Sequence, residues 1–195
     1  MKFSQNTIKY ILIVIIILCI ASYLKTGSFK PWSIFLANVN PEDVTDKLTK
    51  NGSYPTRSLD GVTDITVHHS ASTNGSPEGY ASHHVNGNGW PGIGYHYVIQ
   101  PDGYIYQTNK DETSSYHNGF NNSQAIGIVM TGNFNITDPT KQQLKSLKKL
   151  IRNLKNRYPS IKNVVGHGQV TSTSCPGSNT NVDSIRFWTN SKDRK

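Results

Sequence analysis

At 195 residues, with 20 Lys and Arg against 12 Asp and Glu and a formal charge of +8, the chain has room for one compact domain and an N-terminal extension. Its only cysteines are Cys19, inside an apolar N-terminal run, and Cys175; a run that exports the rest of the chain leaves Cys175 no intramolecular partner, which excludes an internal disulfide. The positive charge and the many Gly, Asn, Ser and Thr residues suit a loop-rich surface facing something anionic: nucleic acid, membrane or an acidic cell wall.

Lys2 and Lys9 precede an uncharged apolar run from Tyr10 to Leu24, so residues 1–24 are expected to be a membrane anchor or signal segment outside the fold. The run is shorter than the ~20 apolar residues of a comfortable transmembrane helix, yet Tyr10 and Tyr23 stand near its ends as interfacial aromatics do. Cys19 and Ala21 are small enough for a cleavage site, although an A-x-A pattern is absent. We favour an uncleaved anchor with the remaining chain outside the cytoplasm; secretion after signal cleavage is the alternative. Residues 25–53 show no sustained period and are punctuated by Pro31, Pro41 and Asn51-Gly52, which predicts a linker with one short helix around residues 41–50.

From residue 54 the pattern tightens into a single domain, 54–195. DITVHHS reads as a strand, SPEGYASHHVN as a short helix, and GYHYVIQ with YIYQT as a hairpin turning at Asp102-Gly103. AIGIVMTG is a continuous apolar run of the buried-strand type, and NVVGH is another short strand. Between these two, Leu144, Leu147, Ile151, Leu154 and Tyr158 recur at intervals of three and four, the period of an amphipathic helix. Thr137 or Asp138 is the expected N-cap, with Pro139 at the first helical position and Pro159 as the stop. The polar face carries Lys141, Lys145, Lys148, Lys149, Arg152, Lys155 and Arg157 without an acid. It reads as a solvated face or as an adhesion surface for an anionic polymer or phospholipid. Nothing beyond this charge points to nucleic acid, and no internal repeat is visible.

Three stretches carry candidate chemistry: His68-His69 at the end of one strand, Tyr95-His96 opening another, and His167 with Cys175 in GHGQVTSTSCPG. Successive strand residues face opposite sides of a sheet. In ITVHH, Ile65, Val67 and His69 share one face while Thr66 and His68 share the other; with Ile65 and Val67 toward the core, His68 points to the polar side. His68 is therefore the expected ligand, and His69 a buried or supporting residue. Zinc takes imidazole nitrogen and thiolate sulfur, and catalytic sites use three protein ligands and leave one position open. Two histidines and a cysteine complete that set, while a Cys175–His167 nucleophile pair is the rival reading.

In order and spacing, VHHSAS, HVNGNGWPGIGYHYVIQPDGYIYQT, SYHNGFNNSQAIGIVMTGNF and GHGQVTSTSCPG closely resemble the type-2 family of zinc-dependent N-acetylmuramoyl-L-alanine amidases, which includes phage T7 lysozyme and the animal peptidoglycan recognition proteins. The likeness covers about residues 54–180. It implies an α/β fold, a single domain with a central mixed β-sheet flanked by helices, here preceded by an N-terminal apolar helix. The implied activity cuts the amide between the lactyl group of N-acetylmuramic acid and the L-alanine of the stem peptide. The family's zinc ligands fall on His68, His167 and Cys175, its catalytic tyrosine on Tyr95, and its second catalytic position, Lys in some members and Thr in others, on Thr173. His117 in SYHNG matches a recurrent cleft histidine and is read as substrate-binding, whereas His96 is read as structural and His84 is left outside the site. The expected partners are peptidoglycan or muropeptides, and the membrane through the N-terminal segment. No nucleic-acid partner is expected, and the protein is expected to act as a monomer. A non-catalytic muropeptide-binding module is the alternative function.

Overall fold

In this computed structural model the described residues are 40–190 together with Val14, Ile17 and Ile20. The chain divides into two compact units, Met1–Asn38 and Val39–Lys195. In the first, Val14, Ile17 and Ile20 are helical and exposed; the rest of the expected anchor or signal segment lies outside the described residues. Among the described residues no helix is long and apolar enough to cross a membrane.

The second unit is built on a six-stranded sheet of β1 (Glu42–Asp43), β2 (Asp64–His69), β3 (Tyr97–Ile99), β4 (Ile105–Gln107), β5 (Ala125–Met130) and β6 (Asn163–Gly166). Its spatial order is β1-β4-β3-β5-β2-β6. Only β3 and β4 run antiparallel, joined by the expected hairpin; every other neighbouring pair is parallel, so the sheet is mixed. At the hairpin turn Gly103 has φ +86°, a left-handed conformation that glycine adopts without strain, and the Asp102 carboxylate accepts from Tyr104 N–H.

Every residue of β5 is buried, as expected for a central parallel strand covered on both faces. On one face Ile65, Val67, Ile126, Ile128 and Met130 pack against Leu147, Leu150, Ile151 and Leu154 of helix α2 (Lys141–Arg157). On the other, Val98 and Val129 pack with Ala81, Ile93, Val44 and Leu48, Ala81 coming from the short helix α1 (Pro77–Ser82). Full burial of one Leu or Ile contributes roughly 1.5–3 kcal/mol, so the α2 face dominates the core. Its C-terminal end is tied down by Asp111, which accepts from the Tyr97 and Tyr158 hydroxyls at 2.7 and 2.8 Å and pairs with Arg157 at 3.3 Å.

Two expectations need correction, and one helix was not expected at all. Residues 41–50 form strand β1 and a turn in place of a helix, so the linker expected over 25–53 ends before Glu42. The Asp43 carboxylate accepts from both Thr45 N–H and the Thr45 hydroxyl, a local turn that competes with helix initiation, while Val44 and Leu48 plug into the core. The α2 N-cap is Thr140, not Thr137 or Asp138. Its hydroxyl accepts from Gln143 N–H and the Gln143 side chain accepts from Thr140 N–H, both at 3.0 Å, a capping box. Finally, helix α3 (Val182–Asn190) was not anticipated. Asn181 caps it by accepting from Ser184 N–H at 2.7 Å, and Val182, Ile185 and Thr189 are buried.

Candidate metal centre

The parallel pairing of β2 with β6 sets up the centre. Val67 pairs with Gly166, so the residues that follow, His68 and His167, emerge side by side, with ring centroids 4.5 Å apart. His68 points away from the Ile65 and Val67 face, as the pleat predicts. His69 takes the opposite side, where its Nδ1 accepts from Phe134 N–H at 3.1 Å and its ring is tilted beside the Phe134 ring with centroids 6.0 Å apart.

The loop after β6 brings in the third residue. Gly168 N–H donates to the Cys175 carbonyl at 2.6 Å, folding GHGQVTSTSCPG back on itself. A Cβ at Gly168 would lie 2.9 Å from that carbonyl oxygen, so the fold-back needs glycine here. Thr173 adds a local bond, its hydroxyl accepting from Cys175 N–H at 3.3 Å. Cys175 Sγ then lies 3.6 Å from His68 Nδ1 and accepts from His69 N–H at 3.4 Å.

The ligand atoms of His68, His167 and Cys175 all fall within 4.8 Å of one another. A tetrahedral ion at ~2.0 Å from nitrogen and ~2.3 Å from sulfur would separate those two atoms by about 3.5 Å, close to the 3.6 Å between Nδ1 and Sγ. The set contains no carboxylate, and thiolate with imidazole suits zinc and disfavours magnesium or calcium. Burial holds His68 neutral, well below the usual histidine range, with neighbouring His117 and His167 adding to the effect; burial also lowers His167. The Cys175 thiol is pushed up to about 11 by burial, which outweighs the His69 N–H. A thiol so raised is a poor free nucleophile, which counts against the thiol-hydrolase reading.

The three residues open onto a cleft of about 580 Å³, whose walls include Tyr95, His117, Thr173, Trp90 and Tyr116; that volume suits a small-molecule ligand. The structure thus gathers all the expected site residues. Tyr95 lies beside His68 with ring centroids 5.4 Å apart. Burial first, then the nearby Cys175 and Tyr80, raise its phenol far above the ordinary tyrosine range, so it stays protonated. Trp90 and Tyr116 meet edge to face at 5.9 Å. The Tyr116 backbone can approach this closely only because residue 94 is glycine: a Cβ there would run into the Tyr116 carbonyl oxygen.

The other histidines have settled partners. His96 Nδ1 accepts from Gly127 N–H at 3.0 Å and its Nε2 meets the Thr113 carbonyl at 2.8 Å. His84 Nδ1 accepts from Gly94 N–H at 2.9 Å. Both are structural. His117 lines the cleft, but its Nε2 faces the Ala125 carbonyl at 3.1 Å and its Nδ1 faces His68 Nε2 at 3.2 Å, so neither ring nitrogen is left for a ligand. The sequence reading missed Arg57, whose guanidinium donates to the carbonyls of Ala125 and Asn122 and to that of Asp111, stapling the cleft loops to β5.

Two imidazoles and a thiol gathered at the end of a parallel strand pair, beneath an open cleft, define a class: small α/β domains with a His-His-Cys set able to hold a metal ion. Residues 58–178 match the N-acetylmuramoyl-L-alanine amidase family, type 2, and the chain belongs to it. Among similar proteins, peptidoglycan-recognition protein SC2 of Drosophila melanogaster is 34% identical over 113 residues, covering 57% of this chain and 61% of that protein. The human N-acetylmuramoyl-L-alanine amidase is 28% identical over 109 residues, covering 54% of this chain and 19% of its own length. The chain therefore spans about three fifths of the recognition protein and a much smaller part of the human enzyme. A solved structure of an endolysin N-acetylmuramoyl-L-alanine amidase, LysCS from Clostridium intestinale, superposes with a TM-score of 0.70 at 32% identity, covering 79% of this chain and 97% of that one.

Proposed function

We propose that this chain is a zinc-dependent N-acetylmuramoyl-L-alanine amidase that hydrolyses the bond between N-acetylmuramic acid and the L-alanine of the peptidoglycan stem. The observation that carries this reading is the complete ligand set, His68, His167 and Cys175, with Sγ and Nδ1 at the separation a tetrahedral zinc needs, open to a cleft. Zinc held there supplies a Lewis acid and makes water acidic enough to attack an amide near neutral pH.

The chain's own residues do the rest. Tyr95, kept protonated by burial, donates its O–H to the oxygen of the scissile amide as negative charge develops. A donor of this kind contributes roughly 2.7–4 kcal/mol to lowering the barrier. The Thr173 hydroxyl accepts from Cys175 N–H and keeps its proton to donate to the substrate. Trp90 and Tyr116 form an aromatic wall suited to the apolar face of a sugar ring. Because His117 has both ring nitrogens engaged, it touches substrate through ring carbons alone. No carboxylate lines the cleft among the described residues, so Tyr95 is the protein group we place nearest the proton passed to the leaving amine.

A muropeptide-binding module without catalysis needs the cleft but not the ligand set, and the set is complete. The apolar run at residues 10–24 leads us to place the domain outside the cytoplasm, where its substrate lies. Elemental analysis of the full-length chain tests the metal: we expect about one zinc per chain, lost in Cys175→Ser. Metal-free protein whose hydrolysis is indifferent to a chelator would refute the proposal.

A further inference from the structure

We propose that His117 is a positioning residue that sets the tautomer of His68: it accepts the His68 Nε2 hydrogen and so leaves the His68 Nδ1 lone pair bare and aimed toward Cys175. The inference rests on reading His68, His167 and Cys175 as a zinc site, and it assigns that site a part no ligand list contains.

The steps follow from hydrogen-bond chemistry alone. A carbonyl oxygen only accepts, so the His117 Nε2 that faces the Ala125 oxygen at 3.1 Å carries a hydrogen. A neutral imidazole has one N–H, and His117 Nδ1 is therefore a bare acceptor. Facing it at 3.2 Å is His68 Nε2. Two bare nitrogens at that distance would repel, so His68 Nε2 bears the hydrogen and donates. That leaves His68 Nδ1 without one, 3.6 Å from Cys175 Sγ, which is the tautomer a metal ligand needs.

The surroundings keep His117 in the required neutral form. It is buried, and the Ala125 oxygen it uses also takes Arg57 Nη1 at 2.7 Å. A second cation beside that guanidinium is disfavoured. Beside it stands the buried His96, edge-on with centroids 5.4 Å apart, and His96 is itself neutral because its Nδ1 accepts from Gly127 N–H. The ring lies against β5 only because residue 127 is glycine: a Cβ there would stand 2.6 Å from His117 Cγ. Strand, carbonyl and ring thus form a directed chain, from Ala125 through His117 to His68, that fixes a proton before any metal arrives.

The test uses two variants and two readouts on the full chain. His117→Phe removes both bonds; His117→Gln keeps an acceptor for His68 and a donor for Ala125 on one side chain. Imidazole ¹⁵N NMR of the metal-free protein should show His68 protonated at Nε2 in the native chain and in His117→Gln, and a shift toward Nδ1–H in His117→Phe. Zinc affinity by competition with a chromophoric chelator should fall about 10–100-fold in His117→Phe and largely recover in His117→Gln, at equal far-UV dichroism. His68 protonated at Nδ1 in the native chain would overturn the proposal, as would unchanged zinc affinity in His117→Phe. If the native chain takes up no zinc while His68 still shows the Nε2–H form, the metal reading fails and the tautomer assignment stands.

Discussion

Zinc uptake by the metal-free protein should release about one proton per ion near pH 6.5, and that proton should come from Cys175. Burial holds His68 well below the usual histidine range and lowers His167, so the imidazoles yield the smaller share. The Cys175 thiol, pushed up to about 11, holds its proton firmly. Removing that proton near pH 6.5 costs on the order of 6 kcal/mol, which the metal–thiolate bond must exceed. The sign follows directly: protons compete with metal at Cys175, so apparent affinity weakens about tenfold for each unit the pH falls below the thiol value. Calorimetric zinc titrations in two buffers of unlike ionisation enthalpy at one pH count the protons. About one is expected in the native chain and near zero in Cys175→Ser. A native value near zero, or one that does not fall in Cys175→Ser, would mean that the thiol is not a ligand and would refute this electrostatic reasoning.

Tyr95→Phe should keep its zinc and its melting temperature while kcat drops about 10²–10³-fold; turnover at the native rate would remove Tyr95 from the chemistry. Gly94→Ala pushes a methyl into the Tyr116 carbonyl and to 3.0 Å from the Trp90 ring. Overpacking of this kind costs about 1–3 kcal/mol, so urea unfolding should shift to lower concentration, and an unchanged midpoint would contradict the packing described. Thr140→Ala deletes a hydroxyl that caps α2 and donates to the Pro101 carbonyl at 2.6 Å. A loss of about 1 kcal/mol is expected in the same assay, with Thr140→Ser close to native.

Much of this organisation was legible in the residues. The α2 period, the buried run of β5 and the Asp102-Gly103 turn each follow from local patterns that tertiary structure had no reason to override, and the pleat of ITVHH separated His68 from His69. The errors share a different cause. The choice of Thr140 over Thr137 or Asp138 is made by Gln143, whose amide also donates to the Thr131 carbonyl at 2.8 Å, a contact across the core that local capping rules do not contain. Strand β1 is two residues long and exists because β4 offers it an edge. The period of α3 covers about two and a half turns, too few to stand out from its loop. His117, read from its motif as substrate-binding, does line the cleft; what the motif did not show is that its ring nitrogens meet partners 8 and 49 residues away in sequence. One sequence feature pointed there: Gly127 inside an otherwise apolar strand, since an in-strand glycine marks a place where something approaches the backbone closely.

Stability and chemistry meet at that strand. β5 is the most deeply buried element, and its Ala125 carbonyl and Gly127 backbone hold Arg57, His96 and His117 in fixed relation to His68. The cleft residues therefore inherit their positions from the rigid part of the sheet, as a preorganised site requires.

Digestion of purified peptidoglycan by the zinc-loaded protein, with mass spectrometry of the released fragments, bears most directly on the proposed activity. Stem peptides carrying a free L-alanine amine, absent with Cys175→Ser, are the predicted products. Release of fragments with new reducing sugar ends, or binding without any cleavage, would contradict it.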